Sequence, residues 1–179
     1  ILADPQIFKS MSNLFLIFYY QLGIRYEPFN AAIKNNLAYI YAQYQNTFEH
    51  AVKLIDSALA HDPKNPYYLD TKGWILYKEG KYKQAEKTLL EAYALNSNIP
   101  DLCYHLGSLY YSSGKYKFAV KYFEEAHRMD PNRPLILNDY GYLLVDNDVD
   151  YLKAIDLCTE AVKRRPGDTS YMDSLAWAY

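Results

Sequence analysis

The side chains suited to metal binding or covalent chemistry are few in this chain of 179 residues. His50, His61, His105 and His127 fall on different segments, and none has a second ligand at metal-binding spacing. They read as ordinary structural or surface histidines. The run Asp146-Asn147-Asp148-Val149-Asp150 opens like a calcium loop, but the glycine an EF-hand places next is missing. Its twelfth place holds Leu157 instead of a bidentate acid, so the run reads as a solvated turn. Cys103 and Cys158 are too few for a disulfide framework and lack metal-ligand spacing. Both occupy interior-facing helical positions, which makes buried free thiols the expectation. No phosphate-binding glycine loop, nucleophile elbow or dinucleotide fingerprint occurs. The expectation is therefore a protein that is not an enzyme and takes no cofactor and no metal.

Charge narrows the partners. The 19 basic residues are balanced by 21 acidic ones, whereas a nucleic-acid binder needs a basic excess or a concentrated basic stripe. Lys78, Lys81, Lys83, Lys87, Lys115, Lys117 and Lys121 cluster near what will prove to be turns, and read as solvated charge. Half of the residues are apolar, which argues against wholesale disorder. The apolar segment Leu14-Phe15-Leu16-Ile17-Phe18-Tyr19-Tyr20 is far shorter than the ~20 residues of a membrane span and reads as part of a core helix. Lys, Asn and Ile are plentiful and Gly scarce, the bias of an AT-rich genome and a pointer to a bacterial source. Envelope or cytoplasm is left open. Ile1 and Tyr179, which stops inside an amphipathic pattern, give the look of a piece of a longer protein.

The elements that would position any binding residue emerge from self-comparison. Gly73 and Gly107, Tyr77 and Tyr111, Gly80 and Gly114, Tyr82 and Tyr116, Ala85 and Ala119, and Ala92 and Ala126 are all 34 apart. Lys81, Lys83 and Lys87 recur at the same offset. Downstream, Gly141 keeps the offset, while Ala154 and Ala161 lag by one residue, which places an insertion in the turn around Asp146–Asp150. Upstream, Ala38, Ala51 and Ala58 take the places of Gly73, Ala85 and Ala92. A longer period lies on top, since Tyr39 and Tyr142, like Trp74 and Trp177, are 103 apart. The units are 31–65, 66–99, 100–133, 134–168 and a half-unit 169–179, after an irregular helical cap or degenerate repeat at 1–30.

Within a unit, apolar residues recur three and four apart, as in Phe118, Ala119, Tyr122, Phe123, Ala126 and Met129, so each unit reads as a helix pair. Gly107, Ala119 and Ala126 sit where two helices must approach within 8–10 Å. Gly80 and Gly114 suit helix C-caps, and Pro63, Pro131 and Pro166 stop second helices.

Leu106-Gly107, Tyr110, Gly114, Tyr116, Ala119, Phe123, Ala126 and Pro131 resemble the tetratricopeptide repeat in type and spacing. The cassette Asn35-Asn36-Leu37-Ala38-Tyr39 with Asp70-Thr71-Lys72-Gly73-Trp74 is similar to one in bacterial proteins of that family, outer-membrane lipoprotein adaptors included. Gln21–Tyr26 resembles a first helix without a standard second helix behind it. The resemblance implies an all-α, right-handed superhelical solenoid whose first helices line a concave face. The position after the small residue then points into the groove, and holds Tyr39, Trp74, Ser108, Tyr142 and Trp177. One turn earlier stand Asn35, Asp70, Tyr104, Asn138 and Asp173, and three residues later Tyr77 and Tyr111. Either these aromatics pack between neighbouring first helices, or they form a recognition surface with large contact area and polar tips. The family's lysine–asparagine clamp for acidic chaperone tails is replaced here by Asn35, Tyr39, Asp70 and Asp101, which disfavours an acidic ligand. The expected partners are peptides or other proteins, with no nucleic acid and no membrane span. The alternative role is a spacer in a large assembly, making its contacts through edges and ends.

Overall fold

The computed structural model describes the backbone of residues 5–45, 47–147 and 149–179, and the side chains from residue 12 onward except Gln45. Among these residues there are ten α-helices, one π turn and no strand. The chain packs as two units, Ile1–Leu95 and Asn96–Tyr179. The first holds α1 (Pro5–Tyr26), α2 (Ala31–Ile40) running into the π turn Tyr41–Gln45, α3 (Phe48–His61), α4 (Pro66–Lys78) and α5 (Tyr82–Leu95). The second holds α6 (Pro100–Ser112), α7 (Tyr116–Met129), α8 (Pro134–Asp146), α9 (Tyr151–Arg164) and α10 (Thr169–Ala178).

Helices pair in sequence, α2 with α3, α4 with α5, α6 with α7 and α8 with α9. The close approach depends on the small-residue slots. A Cβ added to Gly73 would lie 2.5 Å from Leu89 Cγ, one on Gly107 2.9 Å from the Phe123 ring, and one on Gly141 2.6 Å from Cys158 Sγ. Facing them, Ala85, Ala92, Ala119, Ala126, Ala154 and Ala161 are fully buried. The turns inside the pairs are closed by glycine at positive φ, 83° at Gly80 and 70° at Gly114. There Lys81 N–H donates to Leu76 O and Lys115 N–H to Tyr110 O, both at 2.9 Å, satisfying carbonyls that the helix end would otherwise strand. Pro66, Pro100 and Pro134 open first helices, where no N–H is needed.

Both departures from the 34-residue register have structural outlets. The α8–α9 turn spans residues 147–150, one more than the turns at 79–81 and 113–115. Upstream, the extra residue between Ala38 and Ala51 is absorbed by the π turn at Tyr41–Gln45, since a π turn is an α-helix with one residue inserted.

α1 corrects one expectation. Gln21–Tyr26, similar to a first helix in sequence, forms the end of a helix that exits as second helices do. Glu27-Pro28-Phe29-Asn30 repeats Asp62-Pro63-Lys64-Asn65. In both, the Asn side-chain N–H₂ bonds the preceding acid, at 2.6 Å to Glu27 and 3.0 Å to Asp62. In both, its Oδ1 caps the following helix, through Ile33 N–H in one and Tyr67 N–H in the other. The apolar run 14–20 is core on one side only. Ile17, Tyr20 and Ile24 pack with Leu37 and Ile40, while Leu14, Phe15, Phe18 and Tyr19 are exposed. No helix among the described residues is long and apolar enough to cross a membrane.

Candidate functional site

The two units treat the same sequence positions differently. In the first unit, Trp74 is 5% exposed. Its indole N–H donates to Gln43 Oε1 at 3.0 Å, and its ring stacks on Tyr77 with centroids 4.9 Å apart. Lys78 Nζ lies 5.7 Å from the Trp74 ring, covering the cluster further. Asp70 is buried, and Asn35, Tyr39 and Tyr77 are half-buried. In this unit the aromatics act as packing between helices more than as an open face.

In the second unit, Tyr104 is buried and its hydroxyl donates to Asp139 Oδ2 at 2.7 Å. Half-buried Tyr111 makes the same bond two turns further along α6, to Asp146 Oδ2 at 2.7 Å, and meets Tyr142 edge-on with centroids 6.4 Å apart. Tyr142 is 37% exposed and Trp177 63%, at matching places on α8 and α10, which pack together. Ser108, in the same slot of α6, is buried and donates to Tyr104 O at 3.0 Å. Asn138, 6% exposed, gives its N–H₂ to Asp139 Oδ1 at 2.9 Å, and its own Oδ1 has no partner. Asn35, its counterpart in the first unit, shows the same orphaned Oδ1, with its N–H₂ turned to Asn36. Asp173 is exposed.

Asp139 and Asp146 were not read as site residues from sequence. The signal was available, because each lies 35 residues beyond the tyrosine that bonds it, one residue more than the 34-residue repeat. Burial raises the Asp139 carboxyl above the usual carboxylate range, against the hydrogen bonds from Tyr104 and Asn138 that lower it. Tyr111 is held above its ordinary value by burial and by the adjacent Asp146.

Tetratricopeptide-repeat models match residues 40–102 and 100–133, together more than half of the chain. The chain belongs to the tetratricopeptide repeat family. A TPR repeat-containing protein of Pseudomonas aeruginosa is 37% identical over 83 residues, which is 45% of this chain and 14% of that relative. This chain therefore spans a small part of the length of that relative. Among solved structures, a thermophilic TPR protein of Thermus thermophilus aligns over 97% of this chain and 93% of its own, with a TM-score of 0.81 at 15% identity. YrrB, a TPR protein with an unusual peptide-binding site, aligns over 94% of this chain and 86% of its own, with a TM-score of 0.62 at 16% identity. At such identities the likeness is one of fold, an all-α tetratricopeptide solenoid.

Several of the remaining candidate groups of this repeat protein are engaged structurally. Asp146 serves Tyr111, and Asp150 caps α9 through Lys153 N–H at 3.0 Å; Asp148 lies outside the described residues. Cys103 and Cys158 are buried and unbridged. Burial, with the nearby Asp139 charge, pushes the Cys158 thiol up to about 11, which keeps it protonated and a poor nucleophile. His127 is lowered by burial and by Lys153, which favours its neutral form. In the lysine cluster, Lys81 pairs with Glu79 at 2.7 Å, and Lys115 and Lys121 lie over the Tyr110 and Tyr122 rings at 5.3 and 5.0 Å.

Proposed function

We propose that this chain is a non-catalytic interaction scaffold that holds a peptide or partner protein against the first helices of its second unit. The fold suggests the scaffold role at the coarse level. The observation that supports this face is the pair Tyr142 and Trp177, large aromatics exposed at equivalent positions of packed first helices, outside the buried stripe of Leu137, Tyr140, Leu143 and Leu144. Exposed Tyr and Trp in register supply contact area with little entropy to lose on binding. The peptide-binding site named for YrrB is consistent with this reading. Affinity purification from the native source tests it. Replacing Tyr142 and Trp177 together with Ala should remove the partner seen by mass spectrometry while leaving the helical circular-dichroism signal intact, and an unchanged partner set would refute it.

A second reading, a spacer in a larger assembly making contacts through its ends, draws on α1. Leu14, Phe15, Phe18 and Tyr19 form an exposed apolar face there. On that reading Phe15→Ser with Phe18→Ser releases the partner, and Tyr142→Ala does not.

A further inference from the structure

We infer that the ligand of the second unit's first-helix face is a cationic segment, with Lys or Arg side chains laid over Tyr142 and ending on Asp146. This deepens the proposed function and rests on it. The basic residues of this unit's helices are confined to the second helices. α6, α8 and α10 carry Asp101, Asp139, Asp146 and Asp173 and no Lys or Arg. α7 and α9 carry Lys117, Lys121, Arg128, Lys153, Lys163 and Arg164; of their own acids, Glu124, Glu125 and Glu160 pair with these bases and Asp156 is exposed.

Helix ends sharpen the asymmetry. A helix C-terminus bears partial negative charge, normally met by basic residues in the last turn. α7 and α9 follow that rule with His127, Arg128, Lys163 and Arg164. α6, α8 and α10 have no basic residue in the last turn. α8 goes further and ends on a carboxylate, the exposed Asp146.

The four first-helix acids are not equivalent. Asp101 is neutralised by Arg133 at 2.5 Å, and Asp139 is engaged by Tyr104 and Asn138. Asp146 and Asp173 stay exposed, and Asp146 accepts the Tyr111 hydroxyl, a neutral donor.

On α8, Asn138, Tyr142 and Asp146 fall four residues apart in one stripe, so they share a face. That face offers an acceptor, an aromatic ring and a carboxylate beside the negative helix end. Asn138 is an independent pointer to a ligand. It is more than nine-tenths buried, its N–H₂ is committed to Asp139, and its Oδ1 is unpartnered and closed to solvent. An orphaned acceptor gains by swinging toward an N–H donor, which a peptide backbone carries. A lysine or arginine completes the set, because its stem covers the Tyr142 ring while its head meets the carboxylate and the helix end.

Three fluorescein-labelled 12-residue peptides, identical except for Lys, Gln or Glu at four spaced positions, test this by fluorescence anisotropy on the whole chain. The Lys peptide should bind about tenfold tighter than the Gln peptide, and the Glu peptide more weakly than either. Raising the salt concentration should narrow the gap. Asp146→Asn should bring the Lys peptide down toward the Gln peptide. Asp156→Asn, which removes an exposed charge from α9, should change nothing. Equal binding of Lys and Gln peptides, lost in Tyr142→Ala, would overturn the cationic inference and leave the groove reading standing. Lys binding that survives both Tyr142→Ala and Asp146→Asn, or no binding by any peptide, would overturn both.

Discussion

Replacing Gly73 with Ala probes the contact on which the helix pairing depends. The new Cβ would sit 2.5 Å from Leu89 Cγ and 2.6 Å from Cδ2, with the Leu89 backbone N at 3.4 Å. An ordinary contact begins near 3.4 Å, so Leu89 must retreat by about 0.9 Å. Leu89 is fully buried, so a rotation that carried its Cγ aside would run into its neighbours. The shift therefore falls on the α4–α5 spacing. Overpacking of this kind costs about 1–3 kcal/mol. Alanine in a helix interior returns about 1 kcal/mol relative to glycine. The net expectation is a loss of about 1 kcal/mol, against the gain that propensity alone predicts. A double-mutant cycle isolates the clash. Leu89→Ala alone should cost about 2–5 kcal/mol through its cavity. Combined with Gly73→Ala, the steric cost vanishes, so the pair should be about 1–3 kcal/mol more stable than the sum of the singles. Urea denaturation followed by circular dichroism reads all four corners. A Gly73→Ala variant at least as stable as the parent, or a strictly additive double variant, would refute the packing argument.

Two further stability tests concern the tyrosine–aspartate bonds of the second unit. Tyr104→Phe strips a donor from a half-buried carboxylate and should cost about 2 kcal/mol, whereas Tyr111→Phe frees the exposed Asp146 to water and should cost about 1 kcal/mol or less. Chemical denaturation of both variants checks the order, and the reverse order would contradict the burial assigned to Asp139. The Asp139 carboxyl is raised in the folded state above its ordinary 3.8, so between these values the folded chain binds more protons than the unfolded one. Its contribution to stability must fall as pH rises through that window, and the stability of the parent minus that of Asp139→Asn should decline over it and level off above. A flat difference would mean that burial does not govern this carboxyl.

Much of this architecture is legible in the sequence because it rests on local geometry. The 34-residue offset, the Gly-Lys-Tyr turns and the spacing of Gly73, Gly107 and Gly141 determined the helix pairs, since a C-cap at positive φ and a close helix approach each accept few residue types. The class of the chain followed from that pattern alone. Exposure along the ladder did not. Trp74 and Tyr142 occupy equivalent positions, yet Trp74 is enclosed by Gln43, Tyr77 and Lys78 while Tyr142 opens to solvent. That difference comes from residues three or more positions away on the same and neighbouring helices, which repeat matching does not weigh. The roles of Asp139 and Asp146 likewise needed adjacent first helices to be placed side by side. Sequence by itself determined what kind of element each residue sits in, because helix caps and pairing slots are short-range constraints. Only the tertiary structure decided which side chains are spent holding helices together and which stay exposed, because burial is a property of neighbours.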